Sequence, residues 1–204
     1  MTETKALFDF GRALMMKLRV AGGVKEIRLR FPTDEEWADR HRRRKIVIKN
    51  LGRGVSETSI PGAEEVDADL VAKVRTSPDP EIDQFEAARI VEQISQAEVE
   101  DVQTTGDVCR VEMRVLGGTT IHELKVPSAK DVHEFKRAFT RVRDLPFNKQ
   151  EAIIYLPAAE PVYGRLLIGT EGYAPESAIP IIHQASVVKA ACDAYDLLQA
   201  PDPN

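Results

Sequence analysis

Arg19-Val20-Ala21-Gly22-Gly23 and Leu29-Arg30-Phe31-Pro32-Thr33 have near copies 95 residues further along the chain, at Arg114-Val115-Leu116-Gly117-Gly118 and Leu124-Lys125-Val126-Pro127-Ser128. No gap separates the two blocks, and Gly11 falls on Gly106 in the same register. The shared residues include three glycines and a proline, which fix backbone geometry rather than merely filling space. Recurrence at a fixed shift is the signature of an internal repeat.

The repeated stretch reads as a hairpin followed by a helix. Leu14, Met16, Leu18 and Val20 alternate with positions expected to be more exposed, and after Gly22-Gly23 the alternation resumes at Ile27, Leu29 and Phe31. In the second copy Cys109, Val111, Met113 and Val115 precede Gly117-Gly118, and Leu124 and Val126 come after it. Period-two alternation gives a strand one apolar face, and the glycines supply the positive φ of a tight turn. A third strand is expected before each hairpin, at 6–10 and 99–104, completing a meander.

Each hairpin ends in Pro and a hydroxyl residue, Pro32-Thr33 or Pro127-Ser128, the pattern of a helix N-cap. Glu36, three residues after Thr33, completes a capping box. The expected helices span 34–51, up to Gly52, and 129–145, up to Pro146. Further on, 81–91 and 178–188 both read as helices, now at a shift of 97 residues. A short helix is expected at 67–75 and loops at 52–61, 76–80 and 169–176. The segments 152–156 and 162–168 fit helix or strand equally well.

These readings predict an α+β protein built by tandem duplication of an antiparallel three-stranded meander followed by helices. The repeats are 1–96 and 97–204, with their sheets packed or joined about a pseudo-twofold axis in one body. A composition of 43% hydrophobic and 30% charged residues can bury a core and is not that of a disordered chain. No run of about 18 apolar residues is present, so no membrane span is expected, and the cytoplasm is the expected location. Cys109 and Cys192 lack any CxxC spacing and are expected as small buried groups.

Charge is unevenly distributed. Between Arg12 and Arg53 thirteen Lys or Arg face five Asp or Glu, a local +8 in a chain of net charge -5. In the second helix Val132, Phe135, Phe139 and Val142 form an apolar stripe, whereas the first helix places Trp37, Arg40, Arg44 and Val47 in that register. An unpaired buried guanidinium is costly, so this helix is expected either to rotate onto Trp37, His41, Ile48 and Leu51 or to project outward. Residues 37–53 are therefore the candidate docking surface, carried by Trp37, Arg40, Arg42, Arg43, Arg44, Lys45, Lys49 and Arg53. The opposing reading is a solvated face whose cations pair with Asp34, Glu35, Glu36 and Asp39.

Catalytic signatures are lacking. His41, His122, His133 and His183 show no metal-ligand spacing, and no GxSxG, P-loop or GxGxxG motif occurs. His122 takes the place of Ile27 and is expected as a hydrogen-bonded interior residue. Tyr155, Tyr163, Tyr173 and Tyr195 are assigned to packing. No cofactor or metal is expected. The leading functional expectation is a structural or assembly protein that oligomerises, its basic helix meeting an acidic protein surface or another copy; a component of a phage-like particle fits this description. The alternatives are a nucleic-acid-binding accessory protein using the same helix, and a small-molecule binding protein or enzyme with His122 or His183 in a site between the repeats.

Overall fold

Both glycine-bearing hairpins form, and the helix after each is shorter than the sequence predicts. The computed structural model describes residues 8–199. In chain order its elements are β1 (Leu14–Val20), β2 (Gly23–Leu29), α1 (Asp34–Arg43), β3 (Ile46–Gly52), β4 (Val55–Ser59), α2 (Ala63–Val74), α3 (Gln84–Ile94), β5 (Ala97–Thr105), β6 (Val108–Val115), β7 (Gly118–Lys125), α4 (Ala129–Phe139), β8 (Thr140–Leu145), β9 (Lys149–Ile154), α5 (Ala159–Leu166), β10 (Leu167–Glu171) and α6 (Ile181–Gln199). Among the described residues all strand pairings within the three sheets are antiparallel, and the class is α+β.

The capping box at Thr33 is present. Thr33 accepts from the Glu36 amide while the Glu36 carboxylate accepts from the Thr33 amide, and Arg30 clamps both Glu36 oxygens at 2.6 and 2.7 Å. That guanidinium holds the Glu36 carboxyl down at about 2, well below the usual carboxylate range. Asp83 caps α3 by the same reciprocal pattern with Glu86, which also takes Lys25 from β2.

Two expected helices are too long. α1 stops at Arg43 rather than 51, and α4 stops at Phe139 rather than 145. In the first case Ile46-Val47-Ile48 comes next, three β-branched residues whose stiff χ1 favours a strand, and β3 is flanked on both sides by partners. The expected loop at 52–61 contains β4, the ambiguous segment 152–156 starts within β9, and 162–168 divides between α5 and β10. Of the third strand expected at 6–10, residues 6 and 7 lie outside the described residues; Phe8 makes an isolated bridge to Tyr173 and Phe10 lies in a turn. Among the described residues the β1-β2 sheet has two strands, whereas β5 completes the expected second meander.

Strand-strand-helix-strand-strand-helix occurs twice, from β1 to α2 and from β6 to α5. Corresponding elements begin 94 to 96 residues apart. Turn geometry recurs as well: Arg53 and Gly54 have positive φ at the β3-β4 tip, and Phe147 and Asn148 have it at the β8-β9 tip 94 residues later. The Gly-Gly hairpins differ, since the left-handed residues are Gly23 in the first but Leu116 and Gly117 in the second.

The chain falls into two units. Residues 8–9, 96–139 and 156–199 form one, and residues 10–95 and 140–155 form the other. The first contains the sheet β10-β7-β6-β5 with α4, α5 and α6. Val111, Met113, Leu124, Phe135, Val187, Val188 and Cys192 are buried in it. Gly172 approaches β7 so closely that a Cβ would lie 2.7 Å from the Thr119 carbonyl oxygen. The second unit contains the β1-β2 hairpin, α1 to α3, and the sheet β4-β3-β9-β8. Leu18, Ile27, Leu29, Trp37, Leu70, Val74, Ile90 and Ile94 are buried there.

Polar groups inside the first unit form one connected chain. His122 Nδ1 lies 2.8 Å from the Tyr163 hydroxyl, His122 Nε2 lies 3.1 Å from that of Tyr173, and the Tyr173 hydroxyl lies 3.2 Å from His183 Nδ1. With every donor running the same way, neutral imidazoles satisfy all three contacts. Packing describes these tyrosines only in part, because their hydroxyls anchor a buried histidine pair. Burial lowers His122 to about 4 and His183 to about 3. An unfolded histidine protonates near pH 6.5, so the unfolded state binds the extra protons below that value. The stability these groups contribute is thus complete above pH 6.5 and falls as pH drops toward 4, by roughly 1.4 kcal/mol per pH unit for each histidine. Urea unfolding followed between pH 7 and 5 should show that slope, and His122→Gln should reduce it by one histidine's share; a pH-independent midpoint would contradict the neutral chain.

Candidate functional site

The basic segment is divided by the end of α1. Trp37 is buried against Phe31, with ring centroids 5.9 Å apart. Arg40 is buried too, at 6% exposure, its guanidinium over the Trp37 ring and its Nε 2.7 Å from Asp67 on α2. The helix therefore neither rotates nor projects to avoid this arginine. It keeps the register because α2 brings a buried carboxylate to meet the charge. Burial pulls the Arg40 pKa down and Asp67 opposes that pull.

Most of the other cations are engaged as well. Arg42 bonds Asp39, Arg43 bonds Asp69, Arg44 lies 3.8 Å from Asp67, and Lys45 lies 3.6 Å from Glu151 on β9. Asp39 belongs to the acids that the sequence offers as partners, but Asp67, Asp69 and Glu151 come from elements distant in sequence. Lys49 sits on β3 opposite Glu57, and Arg53 occupies the β3-β4 tip. The eight candidate residues thus fall into two groups, one on or just after a helix tied down by acids, with Trp37 and Arg40 buried, and the other on a strand and its hairpin tip.

That sheet carries the more open chemistry. β3 pairs with β9 as Ile46 with Ala152, Val47 with Glu151, Ile48 with Gln150 and Lys49 with Lys149. β4 and β8 are left as outer strands, each with one neighbour. Every β4 residue is exposed, as are the first five of β8. Four large apolar side chains stand in solvent on these two hairpins: Leu51 at 54%, Val55 at 56%, Val142 at 55% and Phe147 at 89% exposure. Phe147 also has a φ of 63°, a strained conformation for a bulky residue, which a turn built only for stability would give to Gly or Asn. Such an edge with exposed apolar residues is a template for another strand.

Corresponding hairpins succeed one another in this sheet by a step of two strand positions: β4 then β3, β9 then β8. A twofold between these two hairpins would set like strands side by side, β3 against β8 or β4 against β9. The observed contact is between unlike strands. Sequence reasoning missed β4 and β8 because their alternation is weak and their faces are polar; the turn-forming residues Gly52, Gly54 and Asn148 between them and their partner strands were the available signal.

Among the described residues no group of three His, Cys, Asp or Glu is placed to hold a metal, and no helix is long and apolar enough to cross a membrane. Compared with known proteins, the chain matched no family model, no curated sequence and no solved structure.

Removing one partner of the buried pair should be far worse than removing both. Asp67→Ala is expected to cost about 3–5 kcal/mol in chemical unfolding, whereas Arg40→Met with Asp67→Leu should cost much less. Equal losses in the single and double variants would contradict the pairing.

Proposed function

We propose that this chain is a non-catalytic structural subunit that assembles with copies of itself, and that the β4-β3-β9-β8 sheet is its docking element. The observation that carries this reading is the pair of uncovered sheet edges, flanked by Leu51, Val55, Val142 and the strained, exposed Phe147. Monomeric proteins usually blunt such edges, because an unpaired row of N–H and C=O groups recruits other chains. Apolar side chains displayed beside the edge add burial to that recruitment.

The recurrence of element order supports reading the chain as a duplicated segment, and duplication suits assembly, since it places two similar hairpins in one sheet. Within the basic segment the sheet half, Lys49 and Arg53, belongs to the docking element. Arg40, Arg43 and Arg44 of the helix half are already held by carboxylates, which leaves fewer cations for a nucleic-acid backbone.

Light scattering coupled to size exclusion, run at several protein concentrations and at low and high salt, tests the proposal. The expected result is a concentration-dependent oligomer whose ultraviolet spectrum is free of nucleic acid. A monomer at every concentration contradicts it, and a monomer that copurifies with nucleic acid favours the alternative reading.

A further inference from the structure

Resting on that self-assembly, we infer that copies join head to tail, the β8 edge of one chain pairing antiparallel with the β4 edge of the next, in the register that β3 and β9 already use within the chain. β8 stands to β3, and β9 to β4, at a shift of 94 residues. Replacing β3 by β8 and β9 by β4 in the internal pairing sets Thr140 opposite Thr58, Arg141 opposite Glu57, Val142 opposite Ser56 and Arg143 opposite Val55. The internal β3-β9 seam is then one instance of a contact that recurs between molecules.

Charge supports this match. Glu151 in the middle of β9 is only 6% exposed because it is flanked on both sides, by Lys45 at 3.6 Å and by Arg143 at 2.8 Å. Its counterpart Glu57 has Lys49 across the strand pair on one side and the open edge on the other. Strand alternation puts Glu57, Glu151, Arg141 and Arg143 on the same face. An incoming β8 would therefore bring Arg141, which in the free chain lies over the Tyr155 ring, to the vacant flank of Glu57.

Twofold alternatives fare worse. β8 against β8 brings Arg141 and Arg143 of two copies together, and β4 against β4 brings two Glu57 together; like charges directly opposite are unfavourable in a sheet. A head-to-tail contact leaves one free edge at each end, so it propagates into a ring if the geometry closes and into a filament if it does not.

Arg141→Glu blocks one edge and Glu57→Arg blocks the other. Each variant alone should associate about tenfold more weakly than the parent while still folding cooperatively, because both positions are exposed; Glu57→Arg should also lower the melting temperature slightly, since it faces Lys49 on β3. Mixing the two should restore association, since intact β8 meets intact β4 and the two altered edges also carry opposite charges. As a second measurement, a Val142→Cys chain mixed with a Ser56→Cys chain and oxidised should give a disulfide-linked pair containing one of each. Variants that assemble like the parent, a mixture no better than its components, or Val142→Cys chains that link equally well to themselves would overturn the pairing while leaving self-assembly standing. A parent protein that never associates would instead remove the reading on which the pairing rests.

Discussion

The antiparallel contact between β3 and β9 governs this chain. Strand N–H and C=O groups must find partners, and a two-stranded hairpin leaves half of them facing outward. Each of the two hairpins of the four-stranded sheet in the second unit solves half of its problem by lying against the other. A seam between two hairpins satisfies only the inner pair and leaves two outer strands with the same unmet requirement; because this one joins unlike strands, β3 to β9, the outer strands β4 and β8 are unlike as well. A twofold contact would have left two like edges outside. A stepwise one reproduces, at the rim of the sheet, the demand it answered at the centre.

Ion pairing fixes the surroundings of this seam. Asp67 lets α1 bury Arg40 beside Trp37, so the helix lies against its own unit. Glu151 joins Lys45, just before β3, to Arg143 on β8, which ties three strands through one nearly buried carboxylate. These contacts convert a segment that looks like a free basic arm into a scaffold beside the sheet. Within the sheet the exposed large apolar groups are then found at the edges and hairpin tips, away from the arginine run.

How much of this can be read from the chain differs by element. The hairpins around Gly22-Gly23 and Gly117-Gly118 are legible because alternation and glycine report on the local backbone directly. The caps at Thr33 and Ser128 are legible for the same reason. The end of α1 is not, since helix-forming Arg and Lys run straight into Ile46-Val47-Ile48, and only the arrival of β4 and β9 decides that those residues are a strand. The burial of Arg40 depends on Asp67, 27 residues away and on another helix. Likewise the tyrosine partners of His122 come from segments more than 40 residues downstream, so its interior character is readable and its hydrogen bonds are not. Charge alone singles out docking residues at 37–53, and charge is a poor guide when the counter-ions are brought in by the fold.

Hydrogen exchange of the backbone amides in residues 55–59 and 140–145, compared between dilute and concentrated protein, addresses the central claim most directly. If unmet strand edges drive association, both segments slow together as the assembly forms, while α1 exchanges at its former rate. An assembly in which these two strands continue to exchange as they do in the dilute protein would contradict the account.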